Sequence, residues 1–231
     1  MMARLSFAAR LHGGAAALLL AVGLYWGLLA VPADAFQGEV QRIMYLHVPS
    51  VSTAYLAILV TFCASILYLW KRDLRIDAVA HSSAEIGVVF LGITLATGAI
   101  WGKPTWGVWW TWDARLTVTA IVFTMYVGYL MVRAFAEEPQ AGARYGAVLA
   151  VLGLPAIILN HFAVQWWRTL HQPSSLIRPG GPSVAPVILW PLVFNIVAML
   201  VLYSYFLLER VRLERIRHRA AESRLKRGRR G

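Results

Sequence analysis

Residues 85–134 read EIGVVFLGITLATGAIWGKPTWGVWWTWDARLTVTAIVFTMYVGYLMVRA. Two apolar runs, over residues 85–101 and 116–134, enclose a segment that is rich in tryptophan. Each run is close to the roughly 20 residues that an α-helix needs to cross the hydrocarbon of a bilayer. The stretch therefore predicts two membrane helices joined by a short aromatic segment.

Four further apolar runs of similar length occupy residues 13–31, 50–70, 146–165 and 186–208. Hydrophobic residues make up 59% of the 231 residues and charged residues only 14%. Because average soluble domains carry about 25% charged residues, this composition excludes a water-soluble globular fold, and it equally excludes a disordered chain. We expect an all-α, polytopic membrane bundle of six transmembrane helices over residues 1–208, followed by a basic tail over residues 209–231.

The first apolar run also has features of a signal peptide, because Arg4 and Arg10 precede it and Ala33-Asp34-Ala35 resembles a cleavage site. The run is long for the apolar part of a signal, which favours a retained first helix. The predicted number of spans therefore stays at six.

The net charge of +11 is distributed unevenly between the two sides of the predicted bundle. Seventeen of the 22 Lys and Arg residues fall on the side that holds both termini, and the positive-inside rule places that side in the cytoplasm. The tail alone contributes +7 and contains no aromatic residues that could stack on bases. We expect the tail to lie near anionic lipids rather than to bind nucleic acid. Three histidines on this side are expected to be solvated: His12, His81 and His218.

Several kinds of chemistry are excluded by the absence of their motifs. Cys63 is the only cysteine, so the chain cannot form an internal disulfide or a CxxC redox pair. The sequence has no GxxxxGKS/T phosphate loop, no GxSxG and no HExxH. We therefore expect no ATPase of its own and favour a protein that is not an enzyme.

Five of the ten tryptophans lie in the aromatic segment, and this crowding has two interpretations. One is an aromatic belt at the membrane–water interface. The other, which the bends expected at Gly102, Pro104 and Gly107 favour, is a platform for a large, flat, apolar ligand. Asp113 is expected to cap the next helix and to order the platform. The five tryptophans are Trp101, Trp106, Trp109, Trp110 and Trp112.

Two histidines, His47 and His171, are expected in outward loops on either side of the aromatic segment. Neutral imidazoles on the two faces of a haem would hold its iron, and haem has the flat apolar body that a tryptophan platform suits. Anchoring at the interface explains each histidine equally well. His161, beside Asn160 in the fifth span, competes as a ligand or forms a hydrogen bond within the bundle. Four outward cations are candidate partners of haem propionates, or interfacial anchors: Lys103, Arg115, Arg168 and Arg178.

A family resemblance is carried by three motifs in a fixed order. Trp101-Gly-Lys-Pro-x-Trp-Gly-x-Trp-Trp-x-Trp-Asp-Ala-Arg-Leu116 resembles the WWD signature of haem-handling proteins in cytochrome c maturation. Arg42-Ile-Met-Tyr-x-His-Val-Pro49 and Gln165-Trp-Trp-x-Thr-Leu-His-Gln172 resemble the histidine segments that flank this signature in the CcmC family, haem exporter protein C. The resemblance covers the chain from about residue 36 to residue 208.

The resemblance implies that the WWD segment holds haem b at the periplasmic face of the bacterial inner membrane, with His47 and His171 as axial ligands of the iron. It implies presentation of haem to the periplasmic haem chaperone CcmE, assisted by the small membrane protein CcmD and the ABC transporter CcmAB. Larger WWD relatives join haem to the apocytochrome, and this chain lacks their extra spans. The residues themselves leave two other classes open: a haem b subunit of a respiratory oxidoreductase, with its ligands inside helices, and a cofactor-free permease subunit.

Overall fold

The computed structural model describes residues 6–173, 175–176 and 178–228, with side chains as far as Arg217. Within that part of the chain there is no β-strand, and six helices are long and apolar enough to cross a membrane. The predicted all-α membrane bundle of six helices is therefore confirmed. The helices are α1 (Phe7–Tyr25, continued by a π-helical turn, Trp26–Ala30), α2 (Met44–Lys71, preceded by a 3-10 turn, Glu39–Ile43), α3 (Leu74–Trp106), α4 (Ala114–Phe135), α5 (Pro139–Trp166) and α6 (Pro186–Gly228).

The short connections between helices have local causes in the sequence. Arg72 ends α2 in the left-handed conformation, with φ 56°, and the Asp73 side chain then caps α3 by accepting a hydrogen bond from the Arg75 N–H. Gly107 ends α3 with φ 81°, a conformation that a residue without Cβ adopts at no steric cost. Asp113 Oδ1 accepts a hydrogen bond from the Leu116 N–H at 3.0 Å. The capping predicted for Asp113 at the start of α4 is therefore confirmed.

Two helices extend beyond the apolar runs that predicted them. α3 continues through Trp106 instead of ending near residue 101, and α2 begins at Met44 instead of near residue 50. His47 therefore lies at the start of α2, and the expectation that it sits in an outward loop is wrong. Hydropathy marks the part of a helix that suits hydrocarbon, whereas capping and turns decide where the helix ends.

Small residues bring the helices close together in the bundle core. α2 packs against α3, α5 and α6, and a Cβ at Gly87 of α3 would stand only 3.2 Å from the Ala57 Cβ. α4 and α5 approach in the same way, because Gly153 lies directly against Tyr126. Glycines that allow such close approach are typical of packing between membrane helices. They hold α2 against α3 and α4 against α5 in the core of the bundle.

The α1–α2, α3–α4 and α5–α6 connections lie at one end of the bundle, which we call the site end. At the opposite end, Arg133 of α4 donates two hydrogen bonds of 2.6 Å to the carboxylate of Asp77 in α3. This ion pair is almost fully buried and joins the two helices. The assignment of this opposite end to the cytoplasm stays a prediction.

Two histidines near that opposite end occupy contacts between helices. His12 Nε2 lies 3.0 Å from Ser204 Oγ of α6, and His81 Nδ1 lies 3.5 Å from a carboxylate oxygen of Glu214. The expectation of solvated surface histidines is therefore wrong for His12 and His81. Polar side chains in an apolar bundle are drawn to partners on neighbouring helices.

α6 continues through the predicted tail without a break as far as residue 228. Arg210 donates hydrogen bonds to Glu85 of α3, so the first turn of the tail is fixed to the bundle. Arg4 and the side chains of His218 and of the tail cations beyond it lie outside the described residues.

Candidate functional site

A cavity of about 250 Å³ opens at the site end between α2, α3, α4 and α5. Its outer wall includes His171 and Leu176 of the connection between α5 and α6. His47 and Ala54 both line it and are seven residues apart on α2, a rise of about 10 Å. Each of these four helices contributes a buried apolar residue to the lining: Ala54, Leu91, Val122 and Ile157.

His47 lies in the wall of this cavity and is only 8% exposed. Its Nδ1 is 2.9 Å from Thr97 Oγ1, and the Thr97 hydroxyl in turn donates to the carbonyl oxygen of Ile93 at 2.7 Å. Because the hydroxyl proton goes to a carbonyl, we assign the proton between His47 and Thr97 to Nδ1. The lone pair of His47 Nε2 is then available to a ligand. The Trp101 ring packs edge-on against the imidazole, with centroids 5.8 Å apart.

His171 lies in the connection that follows α5, as the sequence predicts, and lines the same cavity. Its Nδ1 is 2.8 Å from the carbonyl oxygen of Gln172, so Nδ1 carries the proton and Nε2 again keeps its lone pair. Burial lowers the pKa of His171 to about 4, and the positive charge of Arg115 acts in the same direction. The imidazole is therefore neutral at pH 7, which is the form that binds iron.

Asp113 connects the aromatic segment to the loop that carries His171. While Oδ1 caps α4, Oδ2 accepts a hydrogen bond from the Leu170 N–H at 3.1 Å. The hydroxyl of Thr169 donates to the carbonyl oxygen of His171 at 3.0 Å, which fixes the backbone of the loop locally. One carboxylate thus sets the start of α4 and the position of the residue before His171.

The five tryptophans of the aromatic segment separate into two groups. Trp101, Trp106 and Trp110 line the cavity, and the Trp106 ring lies 6.3 Å from that of His171. Trp109 and Trp112 do not line it and are 58% and 80% exposed. The segment therefore has three indoles that face the cavity and two that are exposed outside it.

Of the four outward cations, only Arg115 lines the cavity. Lys103 donates to the carbonyl oxygen of Gly107 at 2.9 Å, so it satisfies the end of α3. Arg168 and Arg178 are exposed and are not in the cavity wall. Arg115 is thus the outward cation that the structure brings together with His47 and His171.

The sequence patterns did not identify three polar residues of the site: Gln37, Thr97 and Thr119. The Trp101 Nε1–H donates to Gln37 Oε1 at 2.9 Å, and the Asn160 amide donates to Thr119 Oγ1 at 2.7 Å. Asn160 Oδ1 and Trp110 Nε1 are buried and have no hydrogen-bond partner among the described residues. His161 also lines the cavity. The threonines gave no signal in the sequence because a threonine inside a helix ordinarily bonds to its own backbone.

The family model described as Heme exporter protein C matches residues 2–226 of this chain. The chain is 37% identical to Heme exporter protein C of Haemophilus influenzae, over 88% of this chain and 82% of that protein. It is 40% identical to the protein of the same name from Bradyrhizobium diazoefficiens, over 89% of this chain and 78% of that protein. With the one from Escherichia coli K12 the identity is 36%, over 93% of this chain and 89% of that protein.

Proposed function

Since this chain belongs to the Heme exporter protein C family, we propose that it binds haem b in the cavity at the site end and presents it to the periplasmic haem chaperone CcmE. Family membership and the six apolar helices support a role in haem handling for cytochrome c maturation by a multi-pass membrane protein. Haem is the cargo in this proposal rather than a resident catalytic group. The charge asymmetry of the sequence supports placing the site end at the periplasmic face of the inner membrane.

The observation that carries the proposal is the pair of histidines in one cavity. His47 and His171 each use Nδ1 in a hydrogen bond within the protein, and each keeps Nε2 for a ligand. Among the described residues no group of three or more His, Cys, Asp or Glu side chains could hold a metal ion. Two imidazoles without further protein ligands suit an iron whose four equatorial ligands come from a porphyrin.

The other cavity residues also fit haem. Trp101, Trp106 and Trp110 offer an apolar, aromatic wall to the macrocycle, and buried apolar side chains from all four helices contribute to the lining. The buried Nε1–H of Trp110 has no partner among the described residues, and Arg115 supplies a positive charge. These two donors suit the carboxylate of a propionate. The other predicted site residues do not line the cavity and suit the surface around its mouth better than direct contact with haem: Trp109, Trp112, Lys103, Arg168 and Arg178.

Presentation requires that the protein hold the iron and later release it. His47 and His171 restrain the iron while both are bound, and the opening of the cavity leaves one edge of the ligand accessible to a partner. Release of haem requires that one histidine leave the iron. His171 can do so if the loop after α5 moves, because this loop brings His171 to the cavity. We propose the small membrane protein CcmD, the ABC transporter CcmAB and anionic lipids at the tail as further partners.

A haem b subunit of a respiratory oxidoreductase is the second candidate, because such subunits carry their ligands inside helices. His47 lies inside α2, and His161 of α5 lines the same cavity. This arrangement would pair His47 with His161 and leave His171 without a role. The tautomer and neutral charge of His171 favour the pair formed by His47 and His171 instead.

The test is the absorption spectrum of the full-length protein purified in detergent with its haem. We expect a low-spin spectrum typical of two histidine ligands, and we expect its complete loss in the variant His47→Ala/His171→Ala. His12→Ala, a histidine in the contact between α1 and α6 far from the cavity, is the matched control. An unchanged spectrum in the double variant would contradict the assignment of His47 and His171 as ligands of the iron. Loss of the low-spin spectrum in His161→Ala but not in His171→Ala would favour the respiratory candidate.

A further inference from the structure

Two consecutive residues of α3, Thr97 and Gly98, contact the imidazole of His47. Thr97 Oγ1 lies 2.9 Å from Nδ1, and a Cβ at Gly98 would stand 3.1 Å from the ring carbon Cε1. Resting on the proposed function, we propose that Thr97 and Gly98 form a cradle that fixes the plane and the tautomer of His47, so that Nε2 is presented to the haem iron. In this role both are positioning residues, because they act through His47.

The direction of the hydrogen bonds supports the part assigned to Thr97. Its Oγ1 lies 2.7 Å from the carbonyl oxygen of Ile93 and 3.3 Å from that of Thr94. Carbonyl oxygens only accept, so the hydroxyl proton is directed to the backbone of α3 and a lone pair is left for His47. The hydroxyl is thus a fixed acceptor, and it selects the tautomer with the proton on Nδ1. Histidines that bind metals usually donate their second ring N–H to an acceptor of this kind, which orients the ring and raises its basicity.

The absence of a side chain at position 98 supports the part assigned to Gly98. An added methyl group would stand 3.1 Å from Cε1 and 3.7 Å from Nδ1, so it would push on the Nδ1–Cε1 edge and turn the ring, which also moves Nε2. Trp101, three residues later on the same side of α3, contacts the ring edge-on. The imidazole is therefore held by a hydrogen bond, by a close backbone and by an indole, all from one helix.

A threonine that bonds only to its own helix would have a purely structural role, and Thr61 of α2 provides that comparison. Thr61 is fully buried and donates to the carbonyl oxygen of Ala57 at 2.7 Å, the same intrahelical bond that Thr97 makes to Ile93. Thr61 does not line the cavity. Any effect on haem that Thr97→Val has and Thr61→Val lacks is therefore due to the contact with His47.

The experiment uses the full-length protein purified with haem and compares Thr97→Val, Thr97→Ser, Gly98→Ala and Thr61→Val with the wild type. Valine keeps the shape of threonine and removes the hydroxyl that accepts from the Nδ1–H of His47, so we expect about tenfold weaker retention of haem and a shifted midpoint potential. Serine keeps the hydroxyl and should restore both properties. Gly98→Ala should alter the low-spin electron paramagnetic resonance signal, because the ring must turn. Thr61→Val should match the wild type.

A second measurement does not depend on bound haem. The imidazole ¹⁵N chemical shifts of His47 in the haem-free protein report which ring nitrogen carries the proton. We expect the Nδ1–H tautomer in the wild type and in Thr97→Ser, and a mixture of tautomers in Thr97→Val. If Thr97→Val equals Thr61→Val in haem retention, midpoint potential and ¹⁵N shifts, the proposed cradle is wrong. The proposed function would not be affected by that result. Wild-type protein that binds no haem would overturn the proposed function, and the presentation of Nε2 to iron with it.

Discussion

His47 and His171 have the same tautomer but belong to elements of very different stiffness. His47 lies in a helix, is almost fully buried and receives its contacts from a second helix, α3. His171 lies in a loop, and its ring is oriented by a hydrogen bond from Nδ1 to the adjacent carbonyl oxygen of Gln172. The position of its backbone depends on the hydrogen bond between the neighbouring Leu170 N–H and Asp113. A ligand on packed helices is ordered before binding, whereas a ligand on a loop must be ordered at the moment of binding. In the proposed function, His47 would then be the fixed ligand of the iron and His171 the ligand that is released.

This difference decides which part of the proposed site must move to release haem. If both histidines lay in loops, both loops would have to move to release haem. With His47 in α2, movement of the loop after α5 is sufficient. The part of the proposed site that would move is then the loop that carries His171, and the start of α2 stays in place.

The largest effect is expected from removing each histidine separately. His47→Ala removes the ligand that is already ordered, so we expect almost complete loss of haem. His171→Ala should retain haem as a five-coordinate, high-spin complex on His47. The two variants should differ about tenfold in haem retained, because ordering a loop side chain costs on the order of 1 kcal/mol and that cost falls on His171. The ratio of haem to protein and the spin state measure the difference, and equal losses would contradict the distinction between the ligands.

An intermediate effect is expected from Asp113→Asn. The amide has one oxygen where the carboxylate has two, so it cannot both cap α4 and accept the hydrogen bond from Leu170. Loss of one hydrogen bond to a charged group costs about 1.5–3 kcal/mol, and we expect it to appear as a smaller fraction of low-spin haem. Asp73→Asn alters the equivalent cap of α3 at the opposite end of the bundle and should leave the low-spin fraction unchanged. A fall in both variants would show that helix capping in general, rather than the His171 loop, controls coordination.

A smaller effect with opposite signs in two states is expected from Trp110→Phe. The Trp110 Nε1–H is buried and has no partner among the described residues, which costs the haem-free protein about 1–3 kcal/mol. Phenylalanine removes this donor, so the free energy of unfolding of the haem-free protein should rise. If the indole donates to a propionate, haem should bind more weakly in the same variant. Trp109→Phe changes an indole that is 58% exposed and should alter neither property. A variant Trp110→Phe that is stabilised and also binds haem more tightly would exclude a role for the indole N–H.

The sequence predicts the bundle well and the site in part. Long apolar runs determine the number of helices because a bilayer core leaves the backbone few other ways to satisfy its hydrogen bonds. The prediction from the same runs that His47 lies in a loop is wrong, because the start of α2 lies outside the part of the helix with the highest hydropathy. Trp109 and Trp110 are neighbours in the sequence, yet only Trp110 lines the cavity, and the irregular backbone after Gly107 decides which one turns inward. Thr97 gave no signal because its contact with His47 joins residues 50 positions apart.

The smallest effects come from two single hydrogen bonds that support the two histidines indirectly. Gln37→Leu removes the acceptor of the Trp101 indole beside His47, and Thr169→Val removes the hydroxyl that donates to the His171 carbonyl. Each bond contributes about 0.5–1.5 kcal/mol. If His47 and His171 were held equally firmly, the two changes would therefore affect ligand exchange equally. We expect Thr169→Val to speed the exchange of the His171 ligand for added imidazole, and Gln37→Leu to leave that exchange unchanged, because Thr97 and Gly98 still hold His47. Stopped-flow absorbance after addition of imidazole measures the exchange, and faster exchange in Gln37→Leu than in Thr169→Val would reverse the assignment of the fixed and the released ligand.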